Sequence, residues 1–166
     1  MQTDDPIFSE SQKFRQWYVW LAVAIAPIIF VWAILQQGVL GVPFGTNPSG
    51  NVVLILLPVV FGIAFPFFLY RMGLDVQLSN EAIHMRFWPF HFKPRTFYFN
   101  DIDNAEPVTY SPLKDYGGWG IRYGAKGKAY NVSGNQGVVI TLGTGQRILI
   151  GSQRHKELSS LIKDRL

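Results

Sequence analysis

The residues able to do chemistry are few and scattered. His84, His91 and His155 are the histidines, Asp101, Asp103 and Glu106 are a cluster of carboxylates, and there is no cysteine. Without cysteine, thiol nucleophiles, disulfides and thiolate metal sites are excluded. The histidines lie far apart, with no pair at metal-ligand spacing beside a carboxylate motif, so no metal site is expected. Acid and base catalysis would need a carboxylate pair in a tuned environment, whereas Asp101, Asp103 and Glu106 read as a solvated turn cluster. No catalytic residue and no cofactor is assigned.

Two other groups of residues suit binding rather than catalysis. In Tyr116-Gly117-Gly118-Trp119-Gly120-Ile121-Arg122, three glycines surround an indole and permit a bulge or a close backbone approach. The phosphate-binding P-loop pattern and the dinucleotide pattern are both absent there. Arg122 is placed to pair either a carboxylate inside the domain or a lipid phosphate outside it. The second group is Phe87-Trp88-Pro89-Phe90-His91-Phe92-Lys93-Pro94-Arg95. Its rings and cations fit a loop dipping into lipid headgroups, with Trp88, Phe90, Lys93, Arg95 and the more distant Arg71 as candidate interface residues. They equally fit a division of the aromatics between a β-core and a packing surface on apolar helices.

The elements that must position these groups begin with a stretch free of charge. Between Arg15 and Arg71 there is no Asp, Glu, Lys, Arg or His, and two apolar runs, Trp17 to Leu35 and Val52 to Leu69, occupy most of it. A helix of about 19 residues is about 28 Å long, near the thickness of a bilayer's hydrocarbon core. Core helices of a soluble domain would carry a polar stripe that these runs lack. A cleaved signal peptide would be shorter and end at a small-residue site. The pair is therefore expected to form a transmembrane hairpin over residues 16–70, with spans at about 17–35 and 52–70. Lys13, Arg15 and Arg71 flank it while the connecting loop is neutral, which places both termini in the cytoplasm at the plasma (inner) membrane. Residues 1–15 then form a cytoplasmic tail. Pro27, Pro58 and Pro66 predict bent spans. With no ionisable group inside them, a transporter built from these helices alone is not expected.

Residues 71–166 change character and carry most of the charge. Alternation and turn residues predict strands at Leu74 to Leu78, Ala82 to Trp88, Arg95 to Phe99, Ala105 to Tyr110, Trp119 to Tyr123, Gly137 to Leu142 and Gln146 to Ile150. Leu158, Leu161, Ile162 and Leu166 then give His155 to Arg165 the spacing of an amphipathic helix. The expected fold is a membrane α-hairpin plus an α+β domain: a small β-barrel or sandwich of about seven antiparallel strands capped by a C-terminal helix.

A two-span hairpin followed by such a domain resembles the small uncharacterised prokaryotic membrane proteins that carry a bacterial pleckstrin-homology-like (PH-like) domain. The resemblance rests on Tyr116 to Arg122, on Ala129-Tyr130-Asn131-Val132-Ser133-Gly134-Asn135, on Gly137-Val138 and on Ile148-Leu149-Ile150-Gly151-Ser152. It implies a fold and a location, but no reaction or ligand. Within these segments Trp119, Arg122, Tyr130, Asn131 and Asn135 are candidate partner-binding residues. The leading expectation is a non-enzymatic module that presents this domain at the cytoplasmic membrane face and binds a protein partner or anionic lipid. The alternative is an accessory subunit of a larger membrane enzyme or transporter, packing through Ala22, Ala26, Gly62 and Ala64. The net charge of +4 comes from scattered Lys and Arg, and nucleic acid is not an expected partner.

Overall fold

A computed structural model describes residues 6–45 and 50–166, which fall into two compact units: residues 14–71, and residues up to Lys13 together with those from Met72 onward. The first unit is helical. Helix α1 (Trp17–Ala33) continues as a π-helical segment, Ile34–Val39; α2 (Asn51–Leu57) runs through a second π-helical segment, Pro58–Ala64, into α3 (Phe65–Arg71). Pro58 has no N–H to give and its ring crowds the preceding turn, so the chain widens into the π form where it begins. Two continuous helices result, Trp17–Val39 and Val52–Arg71, with 23 and 20 residues, long and apolar enough to cross a membrane. Leu21, Ile28, Ile55 and Ile63 all point outward, where a core helix would hide them.

The two helices pass closely at Gly62, where an added Cβ would lie 4.0 Å from the Cα of Pro27. Gly62, expected to meet a partner's helix, thus faces its own hairpin. At one end of this unit Trp20 and Tyr70 meet edge to face with ring centroids 6.4 Å apart. At the other, the loop is held by Gln36, whose Nε2 donates to the Pro43 carbonyl, and by Gln37, whose Oε1 accepts from the Phe44 N–H.

Among the described residues the second unit holds nine strands in two sheets. One has the order β1 (Phe8–Lys13), β2 (Gly73–Leu78), β3 (Ala82–Trp88), β4 (Arg95–Tyr98), all antiparallel. The other comprises β5 (Ile102–Thr109), β6 (Gly120–Gly124), β7 (Gly127–Asn131), β8 (Gln136–Leu142) and β9 (Arg147–Gly151), in the order β5-β8-β9-β7-β6. A short helix α4 (Pro112–Tyr116) precedes β6, and α5 (His155–Lys163) ends the chain.

Three expectations are corrected. Residues 8–13, taken as part of a tail, are an edge strand: Phe8 and Gln12 turn inward, and Glu10 on the same face accepts from the Ser152 hydroxyl and the Gln153 N–H. Of the barrel or sandwich expected, there are two sheets and no closed barrel. The strands are not all antiparallel, because β9 fills the gap between β7 and β8 and so runs parallel to β7. The helical unit is consequently an insertion in a β-hairpin: Lys13, the last residue of β1, is the cross-strand partner of Gly73, the first of β2. A Cβ on Gly73 would collide with the Gln12 carbonyl, so glycine is what lets these strands meet.

Alternate residues of β2 and β3 (Leu74, Val76, Leu78, Ile83, Met85, Phe87) are fully buried. Together with Val138, Ile140, Ile150, Leu158 and Ile162, also fully buried, they make up the main core. The larger sheet is covered on its other face too, by a cluster of Tyr110, Tyr116, Ala129, Val139 and Leu149. Burial on both faces explains the unbroken apolar runs in β8 and β9.

Candidate functional site

The glycine-rich segment is an internal brace. Helix α4 ends at Gly117, whose φ of 73° lies in the left-handed region that favours glycine. The Trp119 indole donates to the Gly134 carbonyl at 3.0 Å, and the Gly120 N–H donates to Asn131 Oδ1 at 2.9 Å. Asn131 in turn donates to the Tyr110 hydroxyl at 3.1 Å, and the Tyr110 N–H to the Asn135 carbonyl at 2.8 Å. Asn131 and Tyr130 are fully buried, so neither offers a surface to a protein partner. Arg122 has no carboxylate partner among the described residues; its Nε donates to the carbonyl of Trp119, at 3.0 Å.

The histidine and carboxylates weighed for chemistry lie apart from this brace. His84 lies between the hydroxyls of Ser79 and Thr96, and Ser79 itself accepts the Ala82 N–H in the turn from β2 to β3. Asp101, Asp103 and Glu106 are all exposed. Among the described residues no three His, Asp or Glu side chains are grouped to hold a metal.

The turn between β3 and β4 is different. Phe90 is exposed, Phe92 is 95% exposed, and Lys93 and Arg95 are exposed beside them, while Trp88 is half-buried. The turn is anchored rather than loose: the His91 N–H donates to the Phe87 carbonyl, the Phe87 N–H donates to His91 Nδ1 at 3.2 Å, and the Phe87 and Phe90 rings are 6.1 Å apart. Rings held out in water by a fixed backbone are costly unless they meet something. Arg71 belongs to the helical unit, 5.8 Å from the Phe67 ring centroid.

Behind this turn the structure assembles a group that reading along the chain had not joined. The His91 ring meets Tyr130 on β7, centroids 5.5 Å apart. Lys128 is only 8% exposed, and its Nζ lies 4.7 Å from the Tyr123 ring centroid and 5.0 Å from that of Tyr130. Burial works to lower the Lys128 pKa, but the neighbouring Tyr123 and Tyr130 hydroxyls outweigh it and the net direction is upward. Burial, then the charges of Arg95 and Lys128, hold His91 below the usual imidazole range. The signal for this group was the spacing Tyr123-Gly124-Ala125-Lys126-Gly127-Lys128-Ala129-Tyr130: a tight hairpin sets Tyr123 opposite Lys128, with Tyr130 two residues on along the same face.

The comparison with protein families covers almost the whole of this architecture, matching a single family model from residue 2 to residue 165. The chain belongs to DUF6141, a family of unknown function. No curated protein matches it. For this member of DUF6141 the functional reading therefore rests on its own geometry, above all on the exposed aromatic and basic turn with Lys128 behind it.

Proposed function

We propose that this DUF6141 protein is a non-catalytic, integral membrane binding module: its helical hairpin spans the plasma membrane and its β-rich unit, distantly PH-like, engages anionic lipid at the cytoplasmic face. The observation that carries the reading is the β3–β4 turn, which holds Phe90 and Phe92 in solvent next to Lys93 and Arg95. Aromatic rings with adjacent cations suit the headgroup layer of an anionic bilayer, where each cation contributes about 1 kcal/mol. Two outward-facing apolar helices of spanning length support insertion. The pairing of Lys13 with Gly73 supports a hairpin whose two ends emerge on one side, independently of the charge pattern. One residue, Met72, separates α3 from β2, and only residues 14–16 separate β1 from α1, so the tethers are short. The two antiparallel-rich sheets and terminal helix favour a PH-like relationship, and the parallel β7–β9 pair makes it a distant one. A protein partner at Trp119 and Arg122 is less well supported, because the Trp119 indole N–H and the Gly120 N–H are already bonded within the unit.

The test uses the absence of cysteine. A single Phe92→Cys variant of the full chain, carrying an environment-sensitive fluorophore, is placed in nanodiscs containing headgroup-region quenchers. Quenching is expected to rise when phosphatidylglycerol replaces part of the phosphatidylcholine, and to fall back with Lys93→Glu/Arg95→Glu. A label equally exposed to water in every lipid would overturn lipid engagement.

A further inference from the structure

We propose that Lys128, Arg95, His91, Tyr123 and Tyr130 form a binding site for a phosphate group, carried either by a lipid headgroup or by a small soluble phosphate ester. As a headgroup site it rests on the membrane reading above; as a phosphate site it stands without it.

The starting point is the charge of Lys128. A lysine with 8% exposure would normally have a carboxylate beside it, and the ion pairs among the described residues are elsewhere: Arg86 with Asp75, Lys126 with Asp115 and Arg154 with Glu157. The two tyrosine rings attract the ammonium through their π faces but bring no counter-charge. Arg95 adds a second cation whose field reaches Lys128, His91 and Tyr123 alike.

The hydrogen-bonding inventory points the same way. His91 Nδ1 accepts from the Phe87 N–H, so the neutral ring carries its proton on Nε2 and is a donor there. The Tyr130 hydroxyl is buried on the same ring that Lys128 Nζ approaches to 5.0 Å. Ammonium, guanidinium and imidazole N–H only donate here, and the two phenols, which can accept from Lys128, still have a hydrogen to give. A carboxylate ligand has two oxygens and would leave several donors unmet, whereas a phosphate monoester presents three strong acceptor oxygens and up to two negative charges. Tyr123, mostly exposed, is the outer wall through which such a group would reach Lys128.

The full chain in phosphatidylcholine nanodiscs is titrated calorimetrically with inorganic phosphate and with glycerol 3-phosphate at constant ionic strength, acetate and chloride serving as controls. In parallel, native mass spectrometry compares phosphatidic acid with phosphatidylcholine retained by the detergent-released protein. Saturable phosphate binding is expected to weaken by about tenfold or more in Lys128→Met and in Arg95→Gln, and to persist in Lys93→Gln. Arg95 is exposed, so its variant keeps the test valid if Lys128→Met fails to fold. Binding of the soluble phosphates identifies a small ester; Lys128-dependent retention of phosphatidic acid without it identifies a headgroup. If neither depends on Lys128 or Arg95, the site is refuted. Phosphate binding with an unquenched Phe92→Cys label would leave this site standing and remove the lipid reading.

Discussion

One buried amide holds the larger sheet's irregular segments together. Asn131, the last residue of β7, accepts from Gly120 at the start of β6 and donates to the hydroxyl of Tyr110, just beyond β5. Burial pushes the Tyr110 phenol up to about 12, against the opposing effect of the Asn131 bond. The fold thus favours the neutral phenol, and a folded pKa above the unfolded one contributes stability that is intact below pH 10 and lost as pH rises from about 10 to about 12. Tyr116, also raised by burial, adds to that loss. Tyr110→Phe should therefore shrink the alkaline fall in stability. It should also destabilise the protein at neutral pH by about 1–3 kcal/mol, because it leaves a buried Asn131 donor unmet. Denaturant melts of both proteins across pH 7 to about 12 check this; identical alkaline slopes would show that Tyr110 does not titrate in this way. At this scale the sequence was half legible. Lys93, Arg95 and the exposed rings could be picked out by composition, but Lys128 is one lysine among many until the β6–β7 register sets it against Tyr123.

Among the elements, those with a strong period were legible. The strand β3 was read with its observed bounds, β2 and α5 were close, and the helical runs were marked by their lack of charge. Strand β1 was not, because its inward residues are Phe8, Glu10 and Gln12, and the two polar ones bond to groups some 140 positions along: Glu10 to Ser152 and Gln153, Gln12 Nε2 to the Gly151 carbonyl. No local pattern carries that information. Strand β7 was missed for a related reason: Gly127-Lys128-Ala129-Tyr130-Asn131 has little β-character of its own and is a strand because β6 and β9 pair with it. It follows that a chain beginning at residue 71 lacks an edge strand. We expect it to be less stable than one in which Lys13 is joined to Gly73 by a short turn in place of residues 14–72, by about 3–5 kcal/mol, the scale of removing a buried phenylalanine. Urea unfolding of the two chains measures the difference; equal midpoints would mean that β1 contributes nothing.

For the whole molecule, topology and charge make one joint prediction. If the helical unit spans the bilayer as proposed, single cysteines at Val42 and at Asn80 should differ in cells. Val42→Cys should react with a membrane-impermeant maleimide from outside, and Asn80→Cys only after permeabilisation. Equal labelling of both in intact cells would contradict the hairpin. Because β1 and β2 flank the helical insertion, the order of synthesis also matters. Strand β1 is made first, and its neighbour in the sheet only after all of residues 14–72, so the edge strand has no partner until the second helix has been completed. Its pairing is of high contact order and closes late. If the helical unit inserts as proposed, closure of the sheet depends on that insertion: a chain whose second helix has gone astray cannot bring Gly73 back to Lys13, and its first strand stays unpaired.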